Sequence, residues 1–422
     1  MRRGPDARHA RRAAVALTVG AFVIAACTTS DADPIATVPT TTTKPVQPRL
    51  DDGVLHIGAL IPVNDPTVGT AGADLSSAFE RAVQAVNDAG GVLGNEVKMS
   101  IMDEGATASS AALTTQDLID DGVDAIVGPT SSNTAIGALD AAVAAGVVMC
   151  SATATAISLD DFADKGLFFR SVATDSLQAT AIASEARSVV TGSVVIIHVD
   201  DAYGQPYAAA VDDELAESSS IQVATVAVPF DDDDLEDDLE KIAAVDADTA
   251  IVLGNGPDIA RLLEAISSRV DIEFDHIIVN DAARAPSSRP VIAALNPAFR
   301  SRIVGLSPQI LLPETANADG DTPFASQITD CVNLIALAAA QGKSDAPLTI
   351  ASQMASVSSG GAPCRSFAEC IELLADEDNQ INYDGPTRIT ELTRDGDPLR
   401  AFFDRFVFQT DGSSDYAGSV AV

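Results

Sequence analysis

A chain of 422 residues, 46% hydrophobic and 20% charged, is too long for one ordinary core and too apolar for disorder; it fits two globular domains with accessory segments. Its 61 acidic and 25 basic residues leave a net charge of −36, a field that repels phosphates and anionic headgroups and excludes nucleic acid as a partner. Aromatic residues make up 4% and Trp is absent, so a ligand pocket must be built mainly from small and polar side chains.

Residues 1–12 carry five arginines, and residues 13–26 are almost wholly apolar. That run is short for a membrane span and has the length of a signal-peptide core. It ends in Val23-Ile24-Ala25-Ala26-Cys27, which resembles the bacterial lipobox, where the Cys is acylated and becomes the new N-terminus. The plainer alternative is an ordinary signal peptide that ends near a Cys. Arg11-Arg12 is not followed by residues that support twin-arginine export. Without residues 1–26 the chain keeps 20 basic and 60 acidic residues. Residues 27–53 are rich in Thr and Pro and lack apolar periodicity, which predicts an extended tether reaching up to ~80 Å from a membrane. The expectation is an extracytoplasmic, lipid-anchored, monomeric protein.

From Val54 strands and helices alternate. Residues 54–61, 97–102, 124–127 and 146–149 read as strands, separated by helical spacing over 72–89, 109–121 and 133–145. A second set follows, with strands at 193–198, 222–228, 249–253 and 276–279 and helices at 204–217, 235–244 and 257–269. Beyond residue 300 come a strand at 303–306, helices at 324–341 and near 366–375, and a strand at 402–408. Such alternation predicts an α/β protein of two lobes, each a mostly parallel sheet flanked by helices. Residues 54–173 and 306–391 are assigned to the first lobe, and 174–305 and 392–422 to the second lobe and hinge strands.

Cys150, Cys331, Cys364 and Cys370 remain once Cys27 is set aside, an even number that suggests two disulfides in an oxidising compartment. Cys364 and Cys370 can close a small loop, and Cys150–Cys331 would then join distant segments. Three pairings are open, and buried free thiols are the alternative. No Cys-x-x-Cys spacing or His pair supports a metal site, and no cofactor fingerprint or nucleophile elbow occurs. The acidic run 231–238 lacks the central Gly and terminal Glu of a calcium loop and reads as a solvated helix start.

Open parallel sheets bind ligands beyond the carboxyl ends of their strands. Gly128-Pro129-Thr130-Ser131-Ser132 lies at such an end and leads into a helix, where free N–H groups and hydroxyls suit an anion. A plain N-cap role for Ser131 and Ser132 is the alternative.

Several segments together resemble the type I periplasmic-binding-protein fold, in the branch of the leucine/isoleucine/valine-binding proteins of ABC transporters. They are Ile57–Pro62, Ala85–Gly94, Ala125–Ser132, Cys150–Thr155, Phe168–Ser171, Asp200–Gly204, Tyr383–Pro386 and Arg394–Asp397. Their order and spacing carry the resemblance from about Val54 to the C-terminus. It implies a binding protein and not an enzyme, with a small amino-acid-like ligand and ABC permease subunits as partners. It also implies that Ser131, Ser132, Ala154 and Thr155 (Thr153 being a rival) hold the ligand carboxylate. Tyr203 would cover the ligand and Asp281 would pair with its ammonium group, with Asn280 as a stand-in. Small residues at Ala71, Gly72 and Gly254-Asn255-Gly256-Pro257, and the unusual loop Val63–Gly69, depart from the family pattern and point away from a branched-chain ligand. A sensor of the same fold is the first alternative, and a cell-envelope enzyme the second.

Overall fold

The computed structural model describes residues 49–64, 71–190, 192–218, 220–229, 235–309, 324–376, 379–388 and 391–422. The signal segment with Cys27, most of the tether, residues 65–69 of the atypical loop and residues 231–234 of the acidic run lie outside the described residues.

The first five strands are β1 (His56–Ile61), β2 (Lys98–Asp103), β3 (Ala125–Val127), β4 (Val148–Ser151) and β5 (Phe168–Arg170). They form one parallel sheet in the order β2-β1-β3-β4-β5. Helices α1 (Ala71–Asp88), α2 (Ala108–Asp121) and α3 (Ser132–Ala145) connect them. The Thr107 side chain forms a capping box with Ser110, and Ser131 caps α3, while Gly122 and Gly146 end their helices in the left-handed conformation that only Gly adopts freely.

The chain then crosses to a second lobe through residues 171–174. This lobe runs α4 (Asp175–Val189), β6 (Ser193–Val199), α5 (Gly204–Ala216), β7 (Gln222–Val228), α6 (Glu236–Ala244), β8 (Thr249–Leu253), α7 (Gly256–Ser268), β9 (His276–Val279), α8 (Arg289–Ala294), α9 (Pro297–Arg300) and β10 (Ile303–Pro308). It returns to the first lobe as α10 (Ala325–Gly342), α11 (Pro347–Met354), β11 (Ala362–Cys364), α12 (Phe367–Leu374) and β12 (Ile381–Tyr383). A last crossing leads to β13 (Phe402–Phe408) and β14 (Ser414–Ala421). The second sheet has the order β14-β13-β10-β9-β8-β6-β7, antiparallel only at β13 and β14.

Each sheet is covered on both faces. Apolar residues of α1, α10, α11 and α12 pack on one face of the first sheet and those of α2 and α3 on the other. The second sheet is sandwiched in the same way between α6–α8 and α4–α5. Two-faced burial explains the near-continuous apolar strands, of which Val194-Val195-Ile196-Ile197 is fully buried. Disulfides join Cys150 in β4 to Cys331 in α10, and Cys364 to Cys370.

Besides the short elements β5, α8, α9, α11, β11 and β12, two more escape a reading by periodicity. Helix α4 buries mainly small residues, Ala179, Ala181, Ala183 and Ala186, on more than one side, and so shows no apolar stripe. Strand β14 is an exposed edge held by its ladder to β13. The acidic helix start at α6 also differs from expectation, because Asp238 turns inward, 4% exposed, and pairs with Lys241.

Candidate functional site

The β3–α3 turn is built around Gly128, whose φ is +111° and whose Cβ, if it had one, would meet the Leu60 carbonyl oxygen at 2.2 Å. Gly128–Pro129 is a cis peptide. The hydroxyls beyond it already have partners. Ser131 Oγ accepts from Thr134 N (3.1 Å), and Ser132 Oγ accepts from Ala156 N (3.2 Å). Thr153 Oγ1 donates to the Thr130 carbonyl (2.6 Å). Ala154 is fully buried and its N–H donates to Ser151 Oγ (3.0 Å).

A protein carboxylate also serves this turn, and the sequence pattern gives no sign of it. Glu104, just past β2, accepts from Thr130 N (2.6 Å) and Thr130 Oγ1 (2.7 Å). Burial pushes its carboxyl up to about 7 despite those two bonds. A carboxyl raised on folding stabilises the fold fully below its ordinary value of 4.5 and loses that contribution as pH climbs through about 7. Glu104→Gln should therefore flatten the fall in melting temperature between pH 5 and 8, removing a component of up to ~3 kcal/mol. An unchanged pH profile in the variant would refute this role.

Thr155 sits where three segments meet. Its carbonyl accepts from Asp175 N (2.9 Å) and Arg170 Nη1 (3.3 Å). Arg170 is fully buried and makes a bidentate pair with Asp397 (2.6 and 2.7 Å), a further bond to Asp160 (2.5 Å) and one to the Ala156 carbonyl (3.2 Å). One guanidinium thus ties the Thr155 loop, β5 and the last crossing together.

From the second lobe, Tyr203 opens α5, held by Asp201 Oδ1, which accepts from the N–H groups of Tyr203 (3.0 Å) and Gly204 (2.7 Å). Tyr203 packs against apolar residues of both lobes and meets Tyr207 edge-on, with ring centroids 5.8 Å apart. Its hydroxyl accepts from Asn280 Nδ2 (3.3 Å), and Asn280 is fully buried and also bonded to the Gly254 backbone. Asn280 is therefore a joint between the Tyr203 and Gly254 loops. Asp281 follows it in a short turn, half-buried, near Gln178, and burial raises its carboxyl.

Asp175, the first residue of α4, faces this group from the crossing. Its side chain is fully buried and neither carboxylate oxygen has a hydrogen-bond partner. Burial raises its carboxyl to about 8, the Asp281 charge adds to the rise, and Thr155 and Arg170 oppose it. The Gln178 amide donates to the Leu306 carbonyl (2.6 Å) and leaves its own oxygen unpaired, as is the buried Tyr207 hydroxyl. Thr155, Asp175, Gln178, Tyr203, Tyr207 and Asp281 thus meet between the lobes. Ser131 is exposed and engaged with Thr134. Asp175 and Gln178 are hidden along the chain because α4 shows no apolar stripe, Thr174-Asp175, an N-cap followed by an acid, being the one available signal; Tyr207 lies in the legible helix α5, whose pattern does not mark its buried hydroxyl. A surface cavity of about 290 Å³ lined by Ser176, Ala210, Asp213, Glu214 and Glu217 contains none of the predicted residues. Among the described residues no group of His, Cys, Asp and Glu could hold a metal, and no helix is long and apolar enough to cross a membrane.

Comparison with known proteins agrees with this architecture. The periplasmic binding protein family matches residues 54–294. The chemotactic signal transduction system substrate-binding protein BasB of Halobacterium salinarum is 27% identical over 361 residues, covering 82% of this chain and 85% of that one. The Leu/Ile/Val-binding protein BraC3 of Rhizobium johnstonii is 27% identical over 224 residues, 52% of this chain and 60% of that one. The fold is that of the branched-chain amino acid transporter substrate-binding protein LivJ of Streptococcus pneumoniae, solved with isoleucine. Its TM-score is 0.66 at 20% identity, over 87% of this chain and 99% of that one.

Proposed function

The chain belongs to the periplasmic binding protein family, and from that premise we propose that it captures a small polar, amino-acid-like ligand between its lobes and presents the closed form to the permease of an ABC importer. The observation that carries this reading is the buried, unpaired polar group set of Asp175, Gln178 and Tyr207 on the second lobe, which also holds Asp281 and meets Thr155 of the first lobe where Asp175 N donates to the Thr155 carbonyl. Buried polar atoms without partners cost roughly 1–3 kcal/mol each, and a ligand supplying those hydrogen bonds recovers that cost. In this reading Thr155 and Tyr203 contact the ligand from opposite lobes and Asp281 takes its ammonium group. The three crossings act as the hinge, and binding rather than catalysis is the activity. Acylated Cys27 would hold the monomer to the outer face of the membrane, with the tether giving it reach. A thermal-shift screen of the purified protein against amino acids, short peptides and amides tests the proposal. A true ligand at 100 times its Kd should add ~2.7 kcal/mol and move the melting point by several degrees. No shift across the panel, with no small molecule released on denaturation, would remove the reading.

BasB, which covers most of the chain, is named for chemotactic signal transduction, so the second reading is a receptor whose closed form engages a signalling partner. Co-purification with a permease supports import, and with a transducer supports sensing.

A further inference from the structure

The segments that join the two lobes are not close-packed where they run side by side. Ser171 and Ala173 of the first crossing, Gln309 at the start of the second, and Arg400 and Phe402 at the end of the last line one cavity of about 20 Å³, together with Gln327 of α10. That is room for about one water molecule. A void takes away packing contacts that would otherwise fix its walls, so hydrogen bonds keep these segments in register.

Those bonds converge on Gln327, which is 1% exposed. The Ser171 hydroxyl donates to the Gln327 carbonyl (2.7 Å), and Gln327 Nε2 donates to the Gln309 carbonyl (3.1 Å). Gln309 passes the connection to the last crossing. Its N–H donates to the Phe402 carbonyl (2.9 Å), and its Nε2 donates to Asp404 Oδ1 (3.3 Å). Among the described residues no hydrogen bond joins residues 171–174 directly to Pro308 or Gln309, so Gln327 is the intermediary. Gln327 is itself fixed to the first lobe, because it lies one turn before Cys331 in α10, and Cys331 is bridged to Cys150 in β4. Its Oε1 is buried without a hydrogen-bond partner. An amide held through its donor alone gains from any movement that brings its oxygen a donor, so the tie can be exchanged as the lobes move.

We infer that Gln327 is a positioning residue of the hinge, holding the first and second crossings in register and so setting how readily the lobes part. It acts through the crossings and not through contact with the solute, and its bearing on binding rests on the solute-binding reading proposed above. Hinges are a few element-terminal residues that absorb the change in backbone angles. Ser171 follows β5, Gln309 follows β10 and Phe402 opens β13.

The test is hydrogen exchange, read by mass spectrometry, of the full-length protein without added solute. Gln327→Met keeps the size of the side chain and removes both amide groups. Exchange in peptides covering residues 171–175, 308–309 and 401–403 is expected to quicken by roughly tenfold or more, with β6 and β8 unchanged. Ser171→Ala removes the other bond and should give the same pattern, which serves if the first variant fails to fold. The double variant should show less than the sum of the two effects, because both act on one connection. Unchanged exchange at the crossings overturns the inference. So does a rise of equal size across the whole protein, which would mark Gln327 as an ordinary core residue. Titration of the same proteins with leucine, glutamine, glutamate and arginine gives the second readout. Whichever of these binds the wild type should bind Gln327→Met roughly fivefold or more weakly, through faster dissociation, because the closed form is held less firmly. Equal affinity would overturn the role in binding. Binding of none of them by the wild type would count against the solute-binding reading alone, and the exchange result would still decide the hinge role.

Discussion

Arg170→Met should lower stability by about 3–5 kcal/mol, the cost of stranding the charges of a broken buried ion pair, and should lower the melting temperature on the order of 10 °C. Arg170 is fully buried, and its loss leaves Asp397 and Asp160 facing each other without the cation between them. It also removes a donor from the Ala156 carbonyl and one of the two donors of the Thr155 carbonyl, which keeps Asp175 N. Two readouts separate these effects. A double variant, Arg170→Met with Asp397→Leu, should recover part of the lost stability, because the stranded carboxylate goes with its partner. Ligand affinity should not recover, because the Thr155 loop remains untied. Equal stability of the single variant and the wild type would show that Arg170 does not brace the site.

The second large effect belongs to Cys150–Cys331. Replacing both residues with Ala should cost roughly 3–5 kcal/mol, because the bridge closes a loop spanning 181 residues in the unfolded chain. The Cys364–Cys370 bridge spans only 6 residues, and the same replacement there should cost about 2 kcal/mol. Denaturant titrations of the two double variants, each read beside the wild type, check the order. If the short bridge proved the more stabilising, loop closure would not be the main contribution of either. The long bridge also matters to the site. Cys150 lies next to the last residue of the buried strand β4, from which the Thr155 loop departs, and Cys331 lies against the Ser171 hydroxyl (3.2 Å) at the first crossing. Its removal should therefore loosen the Thr155 loop and weaken ligand binding, whereas removal of the short bridge should leave binding unchanged.

Residues close together along the chain encode the elements and their order. Runs such as Ser193–Val199, the caps Thr107 and Ser131 and the stops Gly122 and Gly146 set strand and helix ends through bonds within a few residues, so the alternation of two lobes is legible in the sequence. Thr155, Tyr203 and Asp281 are singled out by the family resemblance, and each lies just after a legible strand. The even cysteine count is legible as well, though not which cysteine meets which. The long-range partnerships arise only in the folded molecule. Ser171 meets Cys331 across 160 residues, Arg170 meets Asp397 across 227, and Glu104 reaches Thr130 from a neighbouring strand end. A carboxylate's role depends on how fully it is buried and which donors reach it. Neither property has a period along the chain, and here both arise from the packing of sheets and helices that the sequence brings together only after the fold has formed.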